Sequence, residues 1–448
     1  MIRVTLILLF LSTHLFAASI SYDKYISLDP KKKNSLIKKY VKEKNGLKYI
    51  SVAHYNVISD AENDTALKYA LLMDNFYVRF TKIFTGKFKI TSKPKLFLMK
   101  ENSSYGKAIF DFSEGNTNAG WSAGMYFYWG KKRALFVNLQ YGHDQCVKIM
   151  FHEGTHQLLH AYIGYSMPVW FNEGTATNFE TWAIERSATN NIQWALFESN
   201  RCPYLMSIYP NKGHVSFQQL AAITSQQWSG SSKPSNNYSS AWGAVNALLS
   251  NDTGKKYFNS IIGGLRSGKS FSKIMSSGTA ANFDKFLKKY IEETIIPHNK
   301  YTAGIMHLLK NKMDTKAAEL TEKFIYEYPK NNYAEYFEVL AKANALSYSP
   351  MVVDQTEVIP SDISEDAAAV KKYKKDISNK YRDILKTMKK LKKYGPIHPE
   401  YSYGLARVYA LSGSRSTAVT ELKKMIAMNP RHQPSLQLLE KLTAKPKK

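Results

Sequence analysis

Two histidines four residues apart, with an acid beside the first and a second acid seventeen residues downstream, are the side chains best suited to chemistry. They lie in Phe151-His152-Glu153-Gly154-Thr155-His156-Gln157 and in Trp170-Phe171-Asn172-Glu173-Gly174. Positions four apart share one face of a helix, so His152 and His156 can offer two imidazole nitrogens to a single ion. Zinc at about 2.0–2.1 Å from each nitrogen suits that spacing, and a catalytic zinc takes three protein ligands plus a water. Glu153 falls about 100° round the helix from His152, where it can reach that water rather than the metal. Glu173 is the natural third ligand. The pattern reads as a hydrolase site for Zn2+, with His152, His156 and Glu173 on the metal and Glu153 as general base.

The HExxH signature also arises by chance, and three features strengthen it here. Val147, Ile149, Met150, Leu158 and Leu159 surround it at helical spacing, Glu173-Gly174 follows on a separate helix, and the chain starts like an exported protein. Gly154 costs about 1 kcal/mol relative to Ala in a helix interior, so it implies a packing or functional reason. Satisfied core histidines beside a surface carboxylate are one bland alternative. A structural zinc is another, but such sites favour four closed Cys/His ligands, and here Glu153 is retained. His160 continues the stripe two turns beyond His152, about 12 Å along the axis, too far to share the ion. A zinc class that needs Gly and His three and six residues after the second histidine is excluded, because Leu159 and Tyr162 stand there.

The elements that must position these groups can be sketched from pattern. The chain has 448 residues, 44% of them hydrophobic and 13% aromatic, enough for two or three folded domains and unlike a disordered chain. Its net charge of +26 implies attraction to polyanions or, more blandly, a coat of solvated lysines. Arg3, the apolar run Val4 to Phe16 and Ala17-Ala18-Ser19 predict a signal peptide over 1–19, hence an exported periplasmic or secreted bacterial protein. No later stretch has the about twenty apolar residues of a membrane span. Cys146 and Cys202 could pair in an oxidising compartment or remain buried and unpaired.

A Lys-rich arm over 20–44 precedes a first strand at Tyr49 to Val52 and a helix from Thr65 to Phe84, with Asn63 or Asp64 as its cap. Lys95 to Met99 reads as a strand, and Gly124 to Trp129 with Ala134 to Leu139 as a hairpin around Gly130. The metal helix spans Asp144 to Tyr162, stopped by Gly164, and the Glu173 helix spans Met167 to Arg186. Ser199 to Asn237 reads as loops with short elements, and helices return at Ala241 to Leu249, Tyr257 to Leu265 and Asn282 to Glu293. This order predicts an α+β domain. Ser402 to Pro430 carries the offsets of a 34-residue helix–turn–helix repeat, and Ile305 to Pro329 echoes it. Between them lie an acidic stretch, Tyr348 to Ala369, and a basic helix, Lys371 to Lys393.

The histidine spacing and the Pro168-x-Trp170-x-Asn172-Glu173-Gly174 segment resemble the gluzincins, the thermolysin-like zinc peptidases, and most nearly an exported group with a peptidase-MA-like domain. The likeness covers about residues 45–295, including Tyr238 to Trp242 as a late Tyr-x-x-x-Trp helix. It implies a small mixed sheet, a motif helix and a helical lower part, followed over 296–448 by tetratricopeptide-like helical repeats. It implies His152, His156 and Glu173 as zinc ligands, Glu153 as base, and a Tyr or His donor to the tetrahedral intermediate, for which Tyr238 is the candidate with His214 behind it. The family often has an acid four residues after the third ligand. Thr177 stands there, so support for a ligand histidine must come from elsewhere, with Asn172, Asn178 and Glu180 in range.

The resulting expectation is a zinc metallopeptidase that takes a peptide or protein substrate, aligned along the strand at Ala123 to Tyr128. A rival expectation is a catalytically weak binding protein whose helical repeats hold a protein partner. A third, a polyanion-binding module on Lys371 to Lys393, requires no specific nucleic acid.

Overall fold

Residues that alternate between two apolar clusters make the central sheet of this chain. The computed structural model describes residues 20–26, 28–84, 90, 92–117, 119–180, 201–210, 213–310, 314–327, 399–411, 414–428 and 433–444, with scattered helical positions between 367 and 386. Six strands run in the order β1-β2-β3-β4-β6-β5: β1 (Val41–Lys44), β2 (Leu47–Ser51), β3 (Asn56–Ser59), β4 (Lys95–Met99), β5 (Gly124–Trp129) and β6 (Lys132–Asn138). The β3/β4 and β4/β6 pairs are parallel and the others antiparallel, which leaves β5 as an edge. Leu96, Leu98, Leu135 and Val137 face the main core, whereas Met99, Ala134 and Phe136 face a smaller cluster with Tyr105 and Ile109. The chain is α+β, mostly helical around one mixed sheet.

Helix α3 (Asn63–Ile83) follows β3, after α1 (Tyr22–Ile26) and α2 (Pro30–Tyr40) near the start. It buries Leu67, Ala70, Leu71, Met73, Phe76 and Phe80, each burial stabilising by about 1.5–3 kcal/mol for the larger side chains. Its N-cap is Glu62, without a side-chain cap bond, rather than Asn63 or Asp64. Helix α4 (Asn102–Phe112), not anticipated from the sequence, covers the second face with Tyr105 and Ile109.

The expected arm over 20–44 is docked instead: Tyr22 and Tyr25 are fully buried, and Val41 to Lys44 is a sheet strand. The boundary expected at 45 falls in the turn that joins β1 to β2, where Asn45 and Gly46 both have positive φ. Asn-Gly is a strong two-residue hairpin signal, so that turn was legible and the lysines obscured it.

The signal segment 1–19 lies outside the described residues, as does residue 181 onward of the helix expected to reach Arg186. Helix α5 (His143–Tyr162) carries the histidines and α6 (Val169–Phe179) carries Glu173, with Gly164 at φ +100° between them. The expected loop over Ser199 to Asn237 contains short helices at Arg201–Ile208, Phe217–Ala222 and Ser225–Ser229. Longer helices follow at Pro234–Ser250, Asp252–Arg266 and Ser277–Tyr290.

The expected boundary at 295 and 296 is continuous helix, because Ser277–Tyr290 runs through the π-helical Ile291–Ile295 into Ile296–Lys310. Helix pairs Ile296–Lys310 with Asp314–Glu327 and Pro399–Leu411 with Arg415–Met428 occupy the repeat-like segments. Tyr301, Ile305, Ala317, Phe324, Leu405 and Val408 belong to the same apolar cluster as the sheet. The acidic stretch falls largely outside the described residues, and only scattered positions of Lys371 to Lys393 are described, all helical. Among the described residues no helix is long and apolar enough to cross a membrane.

Candidate metal centre

Helix α5 is held closely against α3. Phe151 stacks on Phe76 of α3 at 5.0 Å, and a Cβ on Gly154 would lie 2.7 Å from the Met73 methyl. Helix α6 approaches the Pro234–Ser250 helix more closely still: a Cβ on Gly174 would be 2.5 Å from the Ala241 carbonyl oxygen. Asn178 continues that seam by donating to the Trp242 carbonyl at 2.9 Å, while its own oxygen accepts from Asn246 at 2.8 Å. Both glycines exist for proximity. They let α5 pack close onto α3 and α6 close onto the Pro234–Ser250 helix.

At the α5–α6 junction the donor atoms of His152, His156 and Glu173 all lie within 4.8 Å of one another. Glu173 Oε2 is 3.6 Å from His152 Nε2 and 3.7 Å from His156 Nε2. Two ligands at zinc distances in tetrahedral array stand about 3.4 Å apart. Glu173 Oε2 is moreover a buried oxygen with no hydrogen-bond partner, aimed at two imidazole nitrogens. A buried unpaired carboxylate oxygen is costly unless a cation completes it, and the three donors fit a divalent ion.

The imidazoles are oriented from behind. His152 Nδ1 lies 3.1 Å from Glu180 Oε2, and His156 Nδ1 lies 2.9 Å from Asn172 Oδ1. An acceptor at Nδ1 keeps the proton there in the neutral ring and turns the Nε2 lone pair to the cluster. Of the three support residues considered from sequence, Asn172 and Glu180 take the role and Asn178 does not. Glu180 is seven residues after Glu173, two turns along the same face, a spacing that could have singled it out. Thr177 is buried and donates back to the Glu173 carbonyl of its own helix.

Charge balance follows from these contacts. For His152, burial opposes the imidazolium, but the facing Glu173 carboxylate, the hydrogen bond to Glu180 and the Glu153 charge raise its pKa to about 10. Burial likewise opposes ionisation of Glu173, yet His156, His152 and the Tyr238 hydroxyl hold its carboxyl below the usual range. Without a metal, a proton on His152 supplies the positive charge the carboxylates demand.

Glu153 is not part of the His152–His156–Glu173 cluster, and its Oε2 accepts from the Tyr126 main-chain N–H of β5 at 2.7 Å. Tyr238 lies close enough to Glu173 to feel its charge, with its ring 5.1 Å from Trp228 and Arg201 over its face at 5.2 Å. Burial, then the Glu173 charge, pushes the Tyr238 phenol up to about 12, so it stays protonated at neutral pH. His214 packs against Tyr209 at 5.1 Å and feels Asp284, and among the described residues no side-chain hydrogen bond or ring contact joins it to the ligand cluster. His160 stays outside the ligand cluster, between Tyr126 and Tyr165. Cys146 and Cys202 are both buried free thiols.

Sequence reasoning missed three contributors. The Tyr126 main-chain N–H is invisible to residue-type patterns. Arg201, 3.9 Å from Glu180 Oε1, and the Arg133–Tyr165 contact beside the site connect residues far apart in the chain. No family model, curated protein or solved structure matches this chain.

Proposed function

We propose that the chain is an exported zinc-dependent peptidase with a thermolysin-like, gluzincin-type catalytic domain and tetratricopeptide-like helices after it. The observation that carries the reading is the orphaned Glu173 Oε2 facing both Nε2 atoms, with Glu153 tethered beside it to a sheet edge. His152, His156 and Glu173 would hold the ion. Bound zinc supplies a Lewis acid that lowers the pKa of its water to about 7.

The chain's own residues do the rest. Glu153 keeps one oxygen on Tyr126 N–H and has the other without a hydrogen bond among the described residues, available to take the water's proton and pass it to the leaving amine nitrogen. Tyr238, protonated, is placed to donate toward oxyanion charge that develops beside Glu173. The β5 edge aligns the peptide. Asn138 N–H donates to the Ala123 carbonyl, so by antiparallel alternation Gly124, Tyr126 and Tyr128 turn main-chain groups outward. Tyr126 C=O and Tyr128 N–H remain for an extended substrate.

The test is metal analysis of purified protein together with cleavage-site profiling on denatured proteins, for wild type and Glu153→Gln. Stoichiometric zinc with cleavage lost in the variant is expected. Protein that binds no zinc, or cleavage equal in both, overturns the assignment. Zinc without any cleavage favours the rival binding role of the helical repeats.

A further inference from the structure

The face of the sheet edge that looks onto the metal cluster ends in a cation. Tyr126 and Tyr128 of β5 pair with Leu135 and Arg133 of β6, and directly paired residues share a face. Leu135 on that face enters the core that α5 also enters. Arg133 therefore emerges on the metal-centre side, opposite Tyr128. One residue pair separates it from Tyr126, whose N–H anchors Glu153. The same place is reached along α5: His160 lies one turn past His156, its ring 6.5 Å from that histidine and 4.4 Å from Tyr165.

Arg133 is gripped without being neutralised. Its Nε donates to the Tyr165 hydroxyl, and its guanidinium lies 5.1 Å from the Tyr165 ring centre. The Tyr165 hydroxyl is in turn 3.3 Å from the Tyr126 hydroxyl, and the Tyr128 ring is 5.3 Å from that of Tyr165. A guanidinium has five N–H donors, and two phenol oxygens cannot use them all. Among the described residues no carboxylate lies within ion-pair range of it, whereas the nearby acids are taken: Glu153 by Tyr126 N–H and Glu180 by His152 and Arg201. Its exposed donors thus face solvent beside the cluster, in the fork geometry that takes a carboxylate.

We infer that Arg133, held by Tyr165 and Tyr126, is a specificity-determining residue that receives a substrate carboxylate about two residues from the scissile bond. The spacing follows from the strand: an extended peptide on β5 advances about 3.3 Å per residue, so a group level with Tyr128 is two positions from one level with Tyr126. This rests on the peptidase reading. The carboxylate is either an Asp or Glu side chain or the free C-terminus of a short peptide.

Quenched fluorescent octapeptide pools, with Glu, Gln or Lys fixed at each position in turn and with free or amidated C-termini, test this through two readouts. One is kcat/KM with the zinc-loaded enzyme; the other is retention of the same pools on immobilised Glu153→Gln protein, which needs no turnover. Wild type should prefer Glu over Gln about tenfold at one position, the size of one charge-assisted contact. Arg133→Gln should abolish the preference and Arg133→Glu should turn it toward Lys. A preference confined to free C-termini identifies the terminal carboxylate as the group read. A preference unchanged in Arg133→Gln, or absent in wild type, overturns the inference. If no pool is cleaved, the peptidase reading fails. Retention then decides separately: selective retention of acidic pools that is lost when Arg133→Gln is added to the immobilised protein sustains the subsite, and equal retention with and without that substitution ends it.

Discussion

The α5–α6 junction and the β5–β6 lip beside it hold polar groups under opposite rules. At the junction each imidazole has a partner behind it, and the unpaired oxygen of Glu173 points inward at them. At the lip, Arg133 and Tyr165 are exposed and the donors left over point to solvent. An incomplete set of acceptors inside a core calls for positive charge, supplied by a proton on an imidazole or by a metal ion. An incomplete set on an exposed rim demands nothing and only selects among what arrives. The first region should therefore govern whether metal is held, the second which peptide is preferred.

The sharpest break of that comparison is Glu173→Ala. It should abolish stoichiometric zinc, measured by chelator competition, while the fold persists by circular dichroism. Retained zinc would mean the junction is not the metal site. Next comes the pair of glycines. Gly174→Ala drives a Cβ into the Ala241 backbone and should destabilise by about 3 kcal/mol in urea unfolding, near the top of overpacking costs. Gly154→Ala meets the end of the flexible Met73 side chain at 2.7 Å and the Phe76 ring edge at 3.3 Å but no backbone, and the about 1 kcal/mol gain in helix propensity partly offsets this, so its cost should stay below that of Gly174→Ala.

Smaller effects refine the junction. Glu180→Ala and Asn172→Ala should each weaken zinc by about 10–100-fold without removing it, as loss of an orienting partner does. The pH effect has a definite sign. With its pKa near 10 in the metal-free protein, His152 is protonated at pH 7, so zinc must displace that proton and calorimetry in two buffers should show release of about one. By the same linkage the raised pKa stabilises metal-free protein fully below pH 6.5, its ordinary value, and that contribution is lost as pH rises through about 10. The smallest effect expected on metal is at the lip: Arg133→Gln should leave zinc affinity unchanged within twofold, about 0.4 kcal/mol.

Much of the site was legible because helical periodicity is local. His152 and His156 at four apart, Glu173 on a second helix, and Glu180 two turns beyond it all follow from 3.6 residues per turn. The β4 strand and the β5–β6 hairpin were readable too, since alternation and a Gly-centred turn need only near neighbours. The docked N-terminus was missed because a lysine-rich surface says nothing of Tyr22 and Tyr25 on the other side of the same segment. Helix α4 was missed because Asn102, Ser103 and Ser104 read as turn residues, although Glu101 and Ser104 form a capping box.

Residue types and spacing alone determined which side chains can converge on a divalent ion and which carboxylate stands beside them. Tertiary structure decided what surrounds them: that Asn172 and Glu180, not Asn178, turn the imidazoles inward, that a sheet-edge N–H holds Glu153, and that Arg133 stands at the rim. The division has one cause. A helix repeats within four residues and announces its faces in sequence, whereas contacts between α5, α6 and the β5 edge depend on how closely separate elements pack, which glycine, methionine and phenylalanine set in three dimensions.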